Sequence, residues 1–151
     1  MCGIAGIIYR DGAHPIGTEM TRMLQSMKHR GPDSTGYALY GQPSNLVVMR
    51  YKLADANTPR DFEYDDRLRR HRAEVERRLH SIQARIREID EETEYAFRVT
   101  LEYDGDLKRL ADYIEDVPDC EVLSLGRSLE IVKDLGDAET VSKGYHLDDS
   151  N

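Results

Sequence analysis

The sequence predicts an α+β protein in three segments, and three observations carry that prediction. A short apolar run at the N-terminus gives way to one helical period and then to strand-like stretches. A long stretch free of Gly and Pro follows, with apolar residues at spacings of three, four and seven. The last third alternates strand and helix signals. The segments are 1–58, 59–94 and 95–151.

In the first segment, residues 4–9 form a continuous apolar run that reads as a fully buried strand, ending at the turn pair Asp11-Gly12. After Pro15 a helix is expected with Thr18 as its cap and Met20, Met23, Leu24 and Met27 on one core-facing side. Gly31-Pro32 stops it. Strands are expected at 35–40 and 46–53, joined by the turn-forming residues 41–45. Strand, helix, loop, strand, strand is the opening of an α+β sandwich.

The second segment begins after Thr58-Pro59. Leu68, Val75, Leu79, Ile82, Ile86 and Ile89 recur at helical spacing, which predicts one long amphipathic helix over 65–92. Eight arginines fall between Arg67 and Arg87 against only Glu74 and Glu76. That excess of positive charge suits either an anionic partner or a solvated face laced with helix pairs such as Glu74 to Arg78. No aromatic residues interleave for base stacking, which argues against nucleic acid.

The third segment opens with Phe97, Val99, Leu101 and Tyr103 alternating with Arg98, Thr100 and Glu102, a half-buried strand. Asp104-Gly105 turns it into a helix capped by Asp106, with Leu107, Leu110, Ala111 and Ile114 inward, ended by Val117-Pro118. Strands at 121–125 and 129–133, joined by Gly126-Arg127-Ser128, complete a small β-α-β-β lobe. A helix over 138–143 and an acidic tail with Asp148-Asp149 follow.

At 151 residues, with 39% hydrophobic residues, the chain is expected to be one domain; 33% charged residues and no Trp keep its core modest. The formal charge of −8 excludes a generally basic nucleic-acid binder. Two cysteines, no apolar run of membrane-spanning length and no signal-peptide pattern predict a cytoplasmic protein without a Cys2–Cys120 disulfide. Cys120 reads as structural packing. The five histidines lack metal-ligand spacing, so no metal is predicted, and no cofactor-binding pattern is apparent. His29 reads either as a helix-end residue or as a neighbour of a reactive thiol.

That thiol is Cys2. Once Met1 is removed, Cys2 carries both a nucleophile and an amine. A free thiol with a pKa of about 8.5 is mostly protonated at neutral pH, and an α-amino group of pKa about 7.7–8.0 is suited to take its proton. On position alone Cys2 reads first as a small buried hydrophobe, the usual role of a cysteine near an N-terminus.

Cys2-Gly3-Ile4 at the N-terminus, followed by Arg30-Gly31-Pro32-Asp33-Ser34, resembles the class II glutamine amidotransferases, which are N-terminal-nucleophile (Ntn) hydrolases. The wording is most similar to amidotransferase subunits related to glutamate synthase and N-methylglutamate synthase, and the resemblance extends through Leu123-Ser124-Leu125-Gly126-Arg127-Ser128. It implies the N-terminal part of an αββα Ntn-hydrolase sandwich, with the long helix and the β-α-β-β lobe as additions. It also implies that Cys2 is the catalytic nucleophile and that Arg30 and Gly31 lie beside it as substrate-binding residues. The implied reaction hydrolyses glutamine to glutamate and passes ammonia to a synthase subunit.

The chain departs from that family where an Arg-bearing strand, an oxyanion-forming Asn-Gly pair and an Asp for the glutamine amino group are expected. Asn45 and Asn57 are followed by Leu46 and Thr58, and the remaining downstream Asn is Asn151, so no Asn-Gly dipeptide exists. Two expectations follow. One is an amidotransferase subunit acting through Cys2 and feeding ammonia to a glutamate-synthase-like partner, as an oligomer or with a complementing chain. The other is a truncated, non-catalytic remnant or interaction subunit docking through the Arg-rich helix and the lobe.

Overall fold

A computed structural model describes residues 2–10, 14–30 and 33–147. The predicted Asp11-Gly12 turn, the Gly31-Pro32 helix stop and the Asp148-Asp149 tail lie outside the described residues. The protein is mixed α+β. Its chain divides into two compact units, Met1–Tyr37 with Lys133–Asn151, and Ala38–Val132.

In the first unit α1 (Ile16–Ser26) packs on α4 (Ala138–Gly144). A 3-10 turn (Lys28–Arg30) extends α1, and β1 (Ser34–Tyr40) pairs with β6 (Leu129–Leu135) in a two-stranded sheet. Thr21 anchors the packing: its hydroxyl donates to the Gly17 carbonyl (2.8 Å) and lies 3.0 Å from the Tyr37 hydroxyl, which donates to the Ala138 carbonyl (2.9 Å). Val141, Tyr145 and Leu147 fill the space beneath. Asp137 caps α4 by accepting from the Thr140 N–H.

Two expectations for this unit are corrected. Helix α1 starts at Ile16, after Pro15, so Thr18 lies in its first turn rather than at the cap. Its fully buried positions are Gly17 and Thr21; Met20, Leu24 and Met27 are half-buried and Met23 is exposed. The run 4–9 forms no strand, and Ile4 and Ile8 are 92% and 89% exposed. Its alternate residues Gly3, Ala5, Ile7 and Tyr9 are half-buried. A Cβ at Gly3 would sit 3.5 Å from Met27, while the Tyr9 hydroxyl donates to Glu19 and its ring stacks on His14. The segment therefore rests against α1 on one side, and no described strand supplies hydrogen bonds on the other.

The second unit runs β2 (Val47–Lys52), α2 (Tyr64–Ser81), β3 (Arg85–Glu91), β4 (Ala96–Glu102), α3 (Leu107–Glu115), β5 (Glu121–Gly126). The sheet order is β3-β4-β2-β5 with every neighbouring pair antiparallel, the split β-α-β arrangement of ferredoxin-like folds. One sheet face supplies Val47, Met49, Tyr51, Phe97, Val99 and Leu101. The two helices supply Val75, Leu79, Leu110 and Ile114, all at most 3% exposed. Tyr51 stacks on Phe97 at 5.2 Å, and the Arg72 guanidinium lies over the Phe97 ring at 4.9 Å, which seats α2 on this face. As the sequence predicts, Asp106 caps α3, its carboxylate accepting from the Arg109 N–H at 3.1 Å.

The long helix over 65–92 is a helix followed by a strand. Helix α2 stops at Ser81 without Gly or Pro because Gln83 takes a left-handed φ of 63°. The Gln83 N–H then donates to His80 O (3.1 Å) and the Ala84 N–H to Leu79 O (3.0 Å), the paired bonds of a Schellman cap, with Ala84 and Leu79 both buried. In β3 the register shifts between Ile86 and Glu88, so Ile86 faces Leu101 and Ile89 faces Val99. The bulge puts two isoleucines three apart on one sheet face, which mimics a helical period.

The β-α-β-β lobe is also redistributed. β4, α3 and β5 occur in that order, but β4 and β5 share a sheet with β2 and β3, while β6 pairs with β1.

Candidate functional site

The first unit contains a cleft of about 340 Å³ whose lining includes Cys2, Gly3, Lys28, Arg30, Asp33 and Asp137. The N-terminal segment delivers Cys2, which is exposed and free. The 3-10 turn delivers Lys28 and Arg30, its geometry fixed by the Arg30 N–H donating to Met27 O at 2.8 Å. Gly3 lies beside the Met27 and Arg30 side chains, where an added Cβ would make ordinary contacts of 3.5 and 3.7 Å. Two of the three residues singled out from sequence, Cys2 and Arg30, thus line one cleft; Gly31 lies outside the described residues.

The opposite wall comes from the other end of the chain. The Gly136 N–H donates to Asp33 O (3.1 Å), and the Thr35 hydroxyl donates to Gly136 O (2.9 Å). Gly136 has a φ of +116°, open to glycine alone without strain. This brings Asp137 to the cleft. Hydrogen bonds from the Thr140 hydroxyl, the Gln25 amide and the Thr140 N–H, with the charge of Lys28, hold its carboxyl down at about 2. The cleft therefore combines a nucleophile with cations, Lys28 and Arg30, and a firmly ionised carboxylate, groups suited to a small polar substrate. Sequence reasoning missed Lys28 and Asp137. The Asp137 to Thr140 spacing signals a helix start, but nothing local tells that this helix start borders Cys2.

His29 lies in the same 3-10 turn but is not among the residues lining the cleft, and Cys120 and the arginine-rich stretch fall in the second unit. Burial pushes the Cys120 thiol up to about 12, which makes it an inert packing residue. The arginine-rich stretch is largely paired: Arg67 with Asp61 (3.3 Å), Arg69 with Asp66, Arg72 with Glu76 (3.1 Å) and Glu91, Arg87 with Glu102. Arg77 (2.6 Å) and Arg78 (2.9 Å) share Glu74, and their hydrogen bonds hold its carboxyl down at about 2. Among the described residues only Arg70 and Arg85 of the eight lack a carboxylate partner, so the excess charge is mostly neutralised within the fold. No helix among the described residues is long and apolar enough to cross a membrane.

Over 149 residues, 96% of the chain, the sequence is 34% identical to a Methanothermobacter thermautotrophicus protein named "Putative glutamine amidotransferase". Over 138 residues, 90% of the chain, it is 28% identical to "Glutamine amidotransferase-like protein GlxB" of Rhizobium meliloti. The chain is similar to proteins named for glutamine amidotransfer. It covers 47% and 42% of them respectively, so it spans about half the length of the curated relatives it matches. At 96% coverage the first match runs through both units. No family model matches the sequence, and no solved structure matches it.

Proposed function

We propose that this chain carries the nucleophile-bearing portion of a class II, Ntn-type glutamine amidotransferase. It would act in the cytoplasm and supply ammonia to a glutamate-synthase-like partner. The observation that carries the reading is the match across both units to relatives named for this activity; the shared cleft of Cys2 and Arg30 supports it. Glutamine is the substrate. The Cys2 α-amine takes the thiol proton, and Sγ attacks the amide carbon. The tetrahedral adduct collapses with C–N cleavage as the leaving nitrogen is protonated to ammonia. Water then hydrolyses the thioester to glutamate and restores the thiol. Arg30 and Gly31 hold the substrate beside Cys2. Lacking an Asn-Gly pair, the chain alone turns over slowly, since one absent oxyanion donor costs about 100- to 1,000-fold. A second chain or further sequence completes the site.

A diazoketone analogue of glutamine tests this separately from turnover. Intact mass is expected to show a chain lacking Met1, and peptide mapping to show one adduct, on Cys2. Retention of Met1 throughout, or equal labelling of Cys120 in a folded sample, refutes the mechanism. The absent Asn-Gly pair favours a second reading, a non-catalytic interaction subunit, which predicts no selective adduct.

A further inference from the structure

The second unit holds a cleft of its own, about 410 Å³, within the range of small-molecule sites. It opens where β2 runs into the start of α2, facing the turn that enters β5. Its charge is graded with depth. On the floor lies the Lys52 ammonium, its side chain 7% exposed, although lysine is seldom so deeply buried. On the rim stand Asp55 (44% exposed), Glu121 (48%) and Asp119 (58%), together with Asp61 and Arg67, which pair with each other at 3.3 Å, while Leu53 and Leu68 supply an apolar part of the wall.

Lys52 donates to Asp55 and to Glu121 (3.1 Å). An ammonium has three N–H donors, and the third has no acceptor among the described residues. Burial pulls this ammonium towards the neutral form, but the two carboxylates outweigh it and it stays charged. Behind the rim, His71 Nδ1 is buried without a hydrogen-bond partner among the described residues, 3.7 Å from the Asp119 carboxylate.

We propose that this cleft binds a free α-amino acid. Its carboxylate takes the third Lys52 N–H, its ammonium sits between Asp119 and Glu121, and its side chain lies on Leu53 and Leu68. The graded charge selects this class. A simple anion meets the carboxylate rim before it reaches the floor, and a simple amine leaves the floor ammonium without an acceptor. Among the described residues no group of three His, Cys, Asp or Glu side chains could hold a metal ion. The site is independent of Cys2, and the ligand is bound rather than consumed.

Isothermal titration of the whole Cys2→Ala chain with the proteinogenic L-amino acids tests this, since that variant cannot consume glutamine. At least one amino acid is expected to bind saturably at one per chain. Its N-acetyl derivative and its decarboxylated amine should each bind about tenfold more weakly or worse, as for loss of a charged hydrogen bond. Lys52→Met and Asp119→Asn should have similar effects. Asn readily adopts the left-handed φ of 61° found at Asp119, so that variant keeps the fold even if Lys52→Met does not. Absence of saturable binding up to about 10 mM, a Kd that Asp119→Asn leaves unchanged, or an amine that binds as tightly as its parent amino acid overturns the proposal.

Discussion

Replacing Arg50 by Met should unmask the most buried charge network of the second unit. Arg50 projects from β2 on the sheet face opposite the helices, and its side chain is 7% exposed. Its guanidinium pairs with Glu92, itself 10% exposed, and with Glu130 at 2.7 Å. Arg98 grips Glu130 from β4 with two bonds of 2.9 and 3.0 Å, so Glu130 keeps a partner when Arg50 is removed. Glu92 is left with the more distant charge of Arg98. Removing one member of a buried pair costs about 3–5 kcal/mol, because the remaining charge is stranded away from water.

The loss should also depend on pH. Burial already holds the Glu92 carboxyl above its ordinary range despite Arg50, and the variant raises it further. A raised folded-state pKa means that the folded chain binds the proton more readily than the unfolded one. The ionised form then weighs against folding at neutral pH, and the penalty fades as pH falls through the folded pKa towards the ordinary glutamate value of about 4.3. Glu130 behaves oppositely. Burial raises it, but Arg98 and Arg50 outweigh burial and hold it low, so its contribution is present at neutral pH and lost only in acid. Urea denaturation at about pH 7.5 and pH 5.5 should therefore show the larger deficit for Arg50→Met at the higher pH, and Arg50→Met/Glu92→Gln should recover part of it. A deficit below about 1 kcal/mol at both pH values, or one that the second substitution does not reduce, would mean that Glu92 is solvated and the network is superficial.

Two further predictions follow from the first unit. Ile4→Ser and Ile8→Ser should each shift stability by no more than about 0.5 kcal/mol, since both side chains are almost wholly exposed; a loss of about 2 kcal/mol by urea denaturation would restore the buried strand. The Asp137 carboxyl, held at about 2, should lend stability that is present above its ordinary value of 3.8 and fades as pH falls towards 2. Asp137→Asn should flatten that part of a Tm-against-pH curve, and an unchanged curve would remove its capping role.

What was legible in the sequence follows how local each determinant is. Helix α3 was readable because Asp106, the preceding Asp104-Gly105 and the spacing of Leu110 and Ile114 all act within a few residues. The end of α2 was not, because a glutamine occupies the left-handed position that usually announces itself as glycine, and a bulge then spaces Ile86 and Ile89 like a helix. Residues 4–9 have the composition of a strand, but a strand exists only where another backbone supplies its hydrogen bonds. β6 follows β5 after Gly126-Arg127-Ser128 as a hairpin would, yet pairs with β1: the Gly41 N–H donates to Ser128 O at 2.7 Å and the Ser44 N–H to Arg127 O at 2.9 Å.

The two clefts differ in the same way. Cys2 and Arg30 could be found because they sit in short motifs, whereas Lys28 and Asp137 reach the first cleft only through tertiary packing. Lys52 was hidden by its pattern. In β2, Arg50 and Lys52 alternate with Met49 and Tyr51, which reads as one apolar face and one solvated face, yet both cations are 6% exposed. Alternation reports which residues share a face of a sheet, and it says nothing of what covers that face. Here Glu92 and Glu130 lie against Arg50, while Asp55 and Glu121 enclose Lys52. The acidic residues that give the chain its negative charge are thus partly spent inside the second unit, holding two cations out of water. A buried cation with one donor still without an acceptor among the described residues is a feature that only the folded arrangement could disclose.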